Sequence, residues 1–334
     1  MTDRARAIDG FIAANGWQAA VTRPLAGDAS NRRYLRLQMP DGARAVLMDA
    51  PADRGEDVGA FARIARHLSS LGLSAPRILG EDTAQGFLLL EDLGDALFAR
   101  VLEAEPNEEA ALYEAATDVL VAVHSHPAPA ALETYTPSLM ADMAALAFDW
   151  YRECGGETGA RAGFHAEMQS LLDRHTSPAD VLIQRDYHAE NLLWLPERAG
   201  VARVGLLDFQ DAMRGHRAYD LVSILQDARR DVPPAIESAM IDCYVAATGV
   251  DAEAFVTAYH CLGAQRNLRI LGVFARLCLC DGKAHYVDLI PRVWGLLQRD
   301  LAHPALHGIA SAVADSLPAP KDPVLQELKA RCAT

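Results

Sequence analysis

The chain has 334 residues, 51% of them hydrophobic and 23% charged, which is enough apolar material for a large core and enough length for two lobes. Its formal net charge of -14 argues against nucleic acid or an anionic membrane as a partner, because both draw affinity from clustered Lys and Arg. A small-molecule substrate suits it better. The only lysines are Lys283, Lys321 and Lys329, so every cation before position 283 is an arginine or a histidine.

The start of the chain mixes Asp3, Arg4, Arg6 and Asp9 with Ile8, Phe11 and Ile12, which predicts an amphipathic helix rather than a signal peptide. The best candidate for a membrane span, residues 270–280, is too short and contains Arg276, so the reading is cytoplasmic. The 6 cysteines lack CxxC spacing and have no His at zinc-finger distance, which reads as structural thiols. Short strands are expected at residues 21–25, 34–38 and 45–49, the last two separated by the turn Pro40-Asp41-Gly42. Residues 56–71 carry Val58, Phe61, Ile64, Ala65, Leu68 and Leu71 at helical period. Two more strands, 76–79 and 86–90, precede the break Glu91-Asp92-Leu93-Gly94.

From Asn107 the texture is Ala-rich and helical, with patterns at 140–153, 160–175, 218–229, 235–248, 252–263, 265–280 and 286–301. Apolar segments at 181–184, 192–195 and 204–209 are the strand candidates of this half. The class is therefore α+β: a small N-terminal sheet with one helix over residues 1–93, a larger helical lobe over 94–315, and a loosely ordered tail over 316–334.

Chemistry concentrates in Gln184-Arg185-Asp186-Tyr187-His188-Ala189-Glu190-Asn191 and in Leu206-Leu207-Asp208-Phe209-Gln210-Asp211. Each set of polar groups follows an apolar strand. Phosphoryl transfer asks little covalent chemistry of a protein: a carboxylate to orient or deprotonate the attacking hydroxyl, and oxygen ligands for Mg2+. Asp186, Asn191 and Asp208 supply that set, and a hard cation prefers such donors to the cysteines.

This spacing resembles the catalytic loop and metal-binding Asp of aminoglycoside phosphotransferases, choline kinases and, more distantly, protein kinases. The resemblance implies a two-lobed, protein-kinase-like fold that uses ATP and Mg2+. It implies Asp186 as catalytic base, Asn191 and Asp208 as metal ligands, and Glu91 and Leu93 at a nucleotide-binding hinge. Residues 27–34, residues 47–51 and the catalytic segment resemble more narrowly the bacterial N-acetylmuramate/N-acetylglucosamine anomeric kinases. That implies phosphorylation of the anomeric hydroxyl of an amino sugar in cell-wall recycling. Another small alcohol (choline, homoserine or an aminoglycoside) and a nucleotide-binding pseudokinase scaffold remain as alternatives.

Three positions depart from the superfamily. The third strand has Met48 where a phosphate-holding Lys is usual, the loop containing Ala29, Ser30 and Asn31 has Gly27 as its single glycine, and Gln184 stands where His is common. Arg32 or Arg33 would then neutralise phosphate, or both are solvated strand residues. On the acceptor side, His188 and Glu190 lie in the catalytic loop, and Asp211 either binds a sugar hydroxyl or caps a helix. Arg266 and Arg269, one helical turn apart with Arg276 farther on, either meet an acceptor carboxylate or pair internally with carboxylates. Tyr219-Asp220 resembles the Asp that braces the catalytic loop.

Overall fold

The computed structural model describes residues 3–25, 32–51, 55, 57–151 and 160–332. In chain order the main elements are α1 (Asp3–Ala14), β1 (Val21–Pro24), β2 (Arg33–Gln38), β3 (Arg44–Asp49), α2 (Val58–Ser70), β4 (Ile78–Asp82), β5 (Phe87–Glu91), α3 (Phe98–Ala104) and α4 (Glu109–His124). There follow α5 (Pro137–Ala144), α6 (Ala160–His175), β6 (Val181–Ile183), β7 (Leu192–Trp194), β8 (Val204–Leu206), β9 (Met213–Gly215) and α7 (Ala218–Leu225). The chain ends with α8 (Pro234–Thr248), α9 (Ala252–Asp281), α10 (Ile290–Leu301), α11 (His307–Ser316) and α12 (Asp322–Ala330).

The chain divides into two units, Met1–Ala122 with Ala189–Ala212, and Val123–His188 with Met213–Thr334. In the first, an antiparallel sheet has strand order β1-β2-β3-β5-β4. Strand alternation gives it two different faces. Leu35, Leu37, Ala45, Leu47, Phe87 and Leu89 pack on Phe11 and Ile12 of α1, while Tyr34, Arg36, Val46, Met48 and Leu90 wall a pocket. A one-residue slip in the pairing of Leu35 with Leu47 would exchange the faces, so burial fixes the register. Helix α2 begins at Asp57, whose carboxylate accepts from the Gly59 N–H at 2.8 Å. It buries Val58, Phe61, Ile64, Ala65 and Leu68, as its periodicity predicts.

The first unit extends past residue 93 for a physical reason. The β7–β8 hairpin bridges to it at Ser74 with Gly205 and at Leu97 with Leu193, and Leu93 joins Leu193 and Leu195 in one apolar cluster. The boundary at 93/94 expected from composition thus does not coincide with the contacts. The tail also differs from the reading of loose order. Within 316–334 it forms α12, anchored by the buried Leu328 and Leu317.

The second unit is built around α9. This is one helix of 30 residues where the sequence suggests two, and it runs from the Asp251 N-cap to the left-handed Gly282. The expected break at Gly263 does not occur because Asp300 of α10 packs against it; a Cβ there would sit 2.4 Å from the Asp300 carboxylate. Gly272 likewise admits the backbone of Leu146, 2.3 Å from where a Cβ would lie. Asp300 is fully buried and accepts from Gln226 at 2.9 Å and Asn267 at 3.1 Å, with His260 Nδ1 at 3.0 Å. This polar core ties α10, α9 and the end of α7 together. Sequence reading misses α3 and β9, both too short for periodicity to register.

Candidate active site

In the first unit, the β7–β8 hairpin pairs Leu192 with Leu206. That register sets Asn191, just before β7, opposite Leu207, whose N–H donates to the Asn191 carbonyl at 3.0 Å. Asp208 is therefore the next residue along. Its φ of 56° is left-handed, a conformation that Asp tolerates better than branched residues do. Behind it, Phe209 is buried against Phe61 of α2, with ring centroids 4.7 Å apart. The Asp208 Oδ1 accepts from Gln210 Nε2 at 2.9 Å and from Arg32 Nη1 at 3.3 Å.

Asn191 and Asp208 line the same pocket, of about 280 Å³, together with Glu190. Leu25, Val46, Met48, Phe61, Leu90 and Leu207 give it apolar walls suited to a flat heteroaromatic ring. Glu91 and Leu93, predicted at the hinge, also line it. The Glu91 carboxylate is held by Arg198 at 2.9 Å and Arg77 at 3.2 Å. Arg36 clamps the adjoining segment, its guanidinium 2.9 Å from Asp92 and 2.8 Å from Asp95. Oxygen donors from Asn191 and Asp208 suit Mg2+. No group of three His, Cys, Asp or Glu side chains among the described residues makes a complete metal cage. A hard cation held by Asn191 and Asp208 would take its remaining ligands from phosphate oxygens and water.

The two arginines considered for phosphate separate. Arg32 is at Asp208, on the pocket side. Arg33 shares the face of Leu35 and Leu37, on the other side of the sheet from the pocket, and pairs with Asp49 at 2.7 Å. Strand parity places them on different faces: Arg33 is two residues from Leu35, whereas Tyr34 and Arg36 take the pocket face. Ala29, Ser30 and Asn31 lie outside the described residues. Asp211 is exposed, 3.4 Å from Gln210 Nε2.

In the second unit, Asp186 follows β6 on a loop whose geometry is enforced from below. Asp220 of α7 accepts from the Gln184 N–H at 2.6 Å and the Arg185 N–H at 2.9 Å. Ser223 Oγ donates to the Arg185 carbonyl at 3.3 Å. These bonds hold Arg185 at a φ of 71°, a left-handed conformation costly for an arginine. Asp220 is thus the loop brace that the Tyr219-Asp220 resemblance implies. Gln184 is buried, and its backbone, not its side chain, makes the contact to Asp220.

Burial pushes the Asp220 carboxyl up to about 7, with Asp186 adding to the rise against the two N–H bonds and Arg266, which lower it. A folded value above the ordinary 3.8 contributes stability that is present below that value and lost as pH rises through about 7. The stability of the wild type relative to Asp220→Asn should therefore fall by about 2–3 kcal/mol between about pH 5 and about pH 8. Urea unfolding of both proteins across that range measures it; a constant difference would contradict the assignment.

His188 is buried, with Arg229 Nη1 3.4 Å from its Nε2. Burial first, then Arg229 and Arg266, hold its imidazole well below the usual value, so it is neutral at pH 7. Arg266 and Arg269 lie near the field of Asp186, which acts electrostatically on both. Arg276 is exposed and does not share their buried face. Sequence analysis does not single out Arg229, which stands at the end of the helical pattern 218–229.

Among the described residues, no helix is long and apolar enough to cross a membrane. Residues 21–259 match the model of the phosphotransferase enzyme family. An N-acetylmuramate/N-acetylglucosamine kinase of Caulobacter vibrioides is 40% identical, the match covering 91% of this chain and 94% of that protein. One from Pseudomonas aeruginosa is 34% identical over 92% and 93%. A crystal structure of a choline kinase from Streptococcus pneumoniae aligns with a TM-score of 0.63 at 12% identity, covering 89% of this chain and 100% of that one. The fold is kinase-like, a small antiparallel sheet followed by a larger helical region. The chain belongs to the phosphotransferase enzyme family.

Proposed function

We propose that the chain is an ATP-dependent kinase for an amino sugar of the N-acetylmuramate/N-acetylglucosamine class, acting on the anomeric hydroxyl. The observation that carries this reading is the pairing of two features. The chain shares 40% identity with an enzyme of that name over 91% of its length, and Asp186, Asn191 and Asp208 stand on the braced loop and hairpin just described.

Asp186 takes the proton of the acceptor hydroxyl as its oxygen bonds to the γ-phosphorus of ATP, while the bond from that phosphorus to the bridging oxygen breaks and ADP leaves. Asn191 and Asp208 would hold Mg2+, which supplies charge neutralisation at the phosphates when bound. The apolar walls around Val46, Met48 and Leu90 receive the adenine, and Leu93 and Glu91 line its edge. Met48 contributes apolar surface in place of a cation, so Arg32 is the phosphate-neutralising residue. Its present partner, Asp208, keeps it at the polar end of the pocket.

Arg32→Ala should raise the KM for ATP by about 10-fold or more, the value of one charge-assisted hydrogen bond. Arg33→Ala, on the opposite face, should leave it near wild type. Equal effects in steady-state kinetics would remove Arg32 from this role. The function is tested by supplying Mg-ATP with both amino sugars, choline, homoserine and an aminoglycoside, and locating the phosphate on any product. Phosphate at the anomeric oxygen is expected. Turnover of an amino alcohol instead, or nucleotide binding without turnover of any acceptor, would overturn the reading.

A further inference from the structure

Many arginines of this protein pair with carboxylates. Arg32 meets Asp208, Arg36 meets Asp92 and Asp95, Arg198 meets Glu91, and Arg217 meets Asp180. Two on α9 are different. Arg266 is only 5% exposed, and among the described residues its side chain hydrogen-bonds from Nη1 to the Gln226 carbonyl at a long 3.5 Å. Arg269, half-buried one turn later, donates from Nη1 to the Tyr219 hydroxyl at 3.3 Å. Among the described residues, neither has a carboxylate oxygen within 4.0 Å. Each guanidinium carries five N–H donors in a fork that matches a carboxylate.

Internal ion pairing, one of the two sequence expectations for these residues, is therefore not what the structure holds. Burying a guanidinium without a counter-ion is unfavourable, and burial alone pushes Arg266 below its ordinary value. Asp186 and Asp227 attract Arg266 from beyond contact distance, while Arg229 adds a third cation beside His188. His188 is neutral and adds no charge of its own. In a chain with a net charge of -14, these guanidinium groups gather in the unit that carries Asp186, with Asp186 and Asp227 as the carboxylates that act on Arg266.

Resting on the amino-sugar reading above, we propose that Arg266 and Arg269 form a carboxylate-binding subsite on the acceptor side, selecting a sugar that bears an acid group over its neutral counterpart. The 3-residue spacing puts both side chains on one face of α9, so a carboxylate reaching that face meets guanidinium donors from the pair. Gln226 and Tyr219, their present partners, are neutral oxygen acceptors that an anion would outcompete.

The test compares kcat/KM for N-acetylmuramate, its uncharged carboxamide and N-acetylglucosamine in the wild type, Arg266→Gln, Arg269→Gln and Arg269→Lys. The ratio of N-acetylmuramate to N-acetylglucosamine should fall by about 10- to 100-fold in the glutamine variants, with partial recovery in Arg269→Lys. The wild-type carboxamide should show the same loss without any mutation, which keeps the test decisive if a variant fails to fold. A carboxamide as good as the acid, or ratios unchanged while both sugars still react, would overturn the subsite and leave the sugar-kinase reading standing. Failure of the wild type to phosphorylate either sugar would overturn both.

Discussion

Asp186→Asn is expected to lower kcat by about 100- to 10,000-fold, the range of a positioned general base, with the KM for ATP and the unfolding midpoint close to wild type. The reason for separate effects is structural. The backbone around residue 186 is fixed by Asp220 accepting from Gln184 and Arg185 and by Ser223 at the Arg185 carbonyl, none of which uses the Asp186 side chain. An amide preserves shape and some hydrogen bonding but cannot accept the acceptor's proton. Single-turnover measurement with saturating ATP isolates the chemical step. A variant that loses activity through a raised KM alone would show that Asp186 binds rather than deprotonates.

Asp208→Asn should cost about 100- to 1,000-fold in kcat, the scale for removing one electrostatic stabiliser of the transition state, and should raise the Mg2+ concentration needed for half-maximal rate. Asparagine is the informative replacement because residue 208 has a φ of 56°, which Asn adopts readily and Ala does not. Loss of charge is then read without added backbone strain. The substitution also frees Arg32 from its ionic partner. A Mg2+ titration unchanged from wild type would place Asp208 outside metal binding.

Much of the first unit was legible in the sequence because its signals are local: period-2 apolar runs, the Asp-Gly turn at 41–42, and the 3.6-residue period of α2. The candidate residues drew notice for a different reason: Asp186 follows β6, while Asn191 and Asp208 flank the short β7–β8 hairpin, so each stands at the edge of an apolar strand. What escaped depends on pairing between distant segments. Nothing local marks Asp300 as buried, since Gln298-Arg299-Asp300 reads as a solvated stretch, and its partners Gln226, His260 and Asn267 come from two other elements. The continuity of α9 through Gly263 escaped with it. The different faces of Arg32 and Arg33 follow from strand parity once Leu35 and Leu37 are assigned to the core.

Because Met48 walls the pocket and the first unit contains no lysine, amine-directed chemistry is blind to this site. Nucleotide analogues that acylate a phosphate-site ε-amine would leave it unmarked, and labelling would fall on Lys283, Lys321 and Lys329 in the second unit. A dicarbonyl reagent directed at guanidinium groups is the suitable probe of occupancy, with protection of Arg32 by nucleotide as its signal.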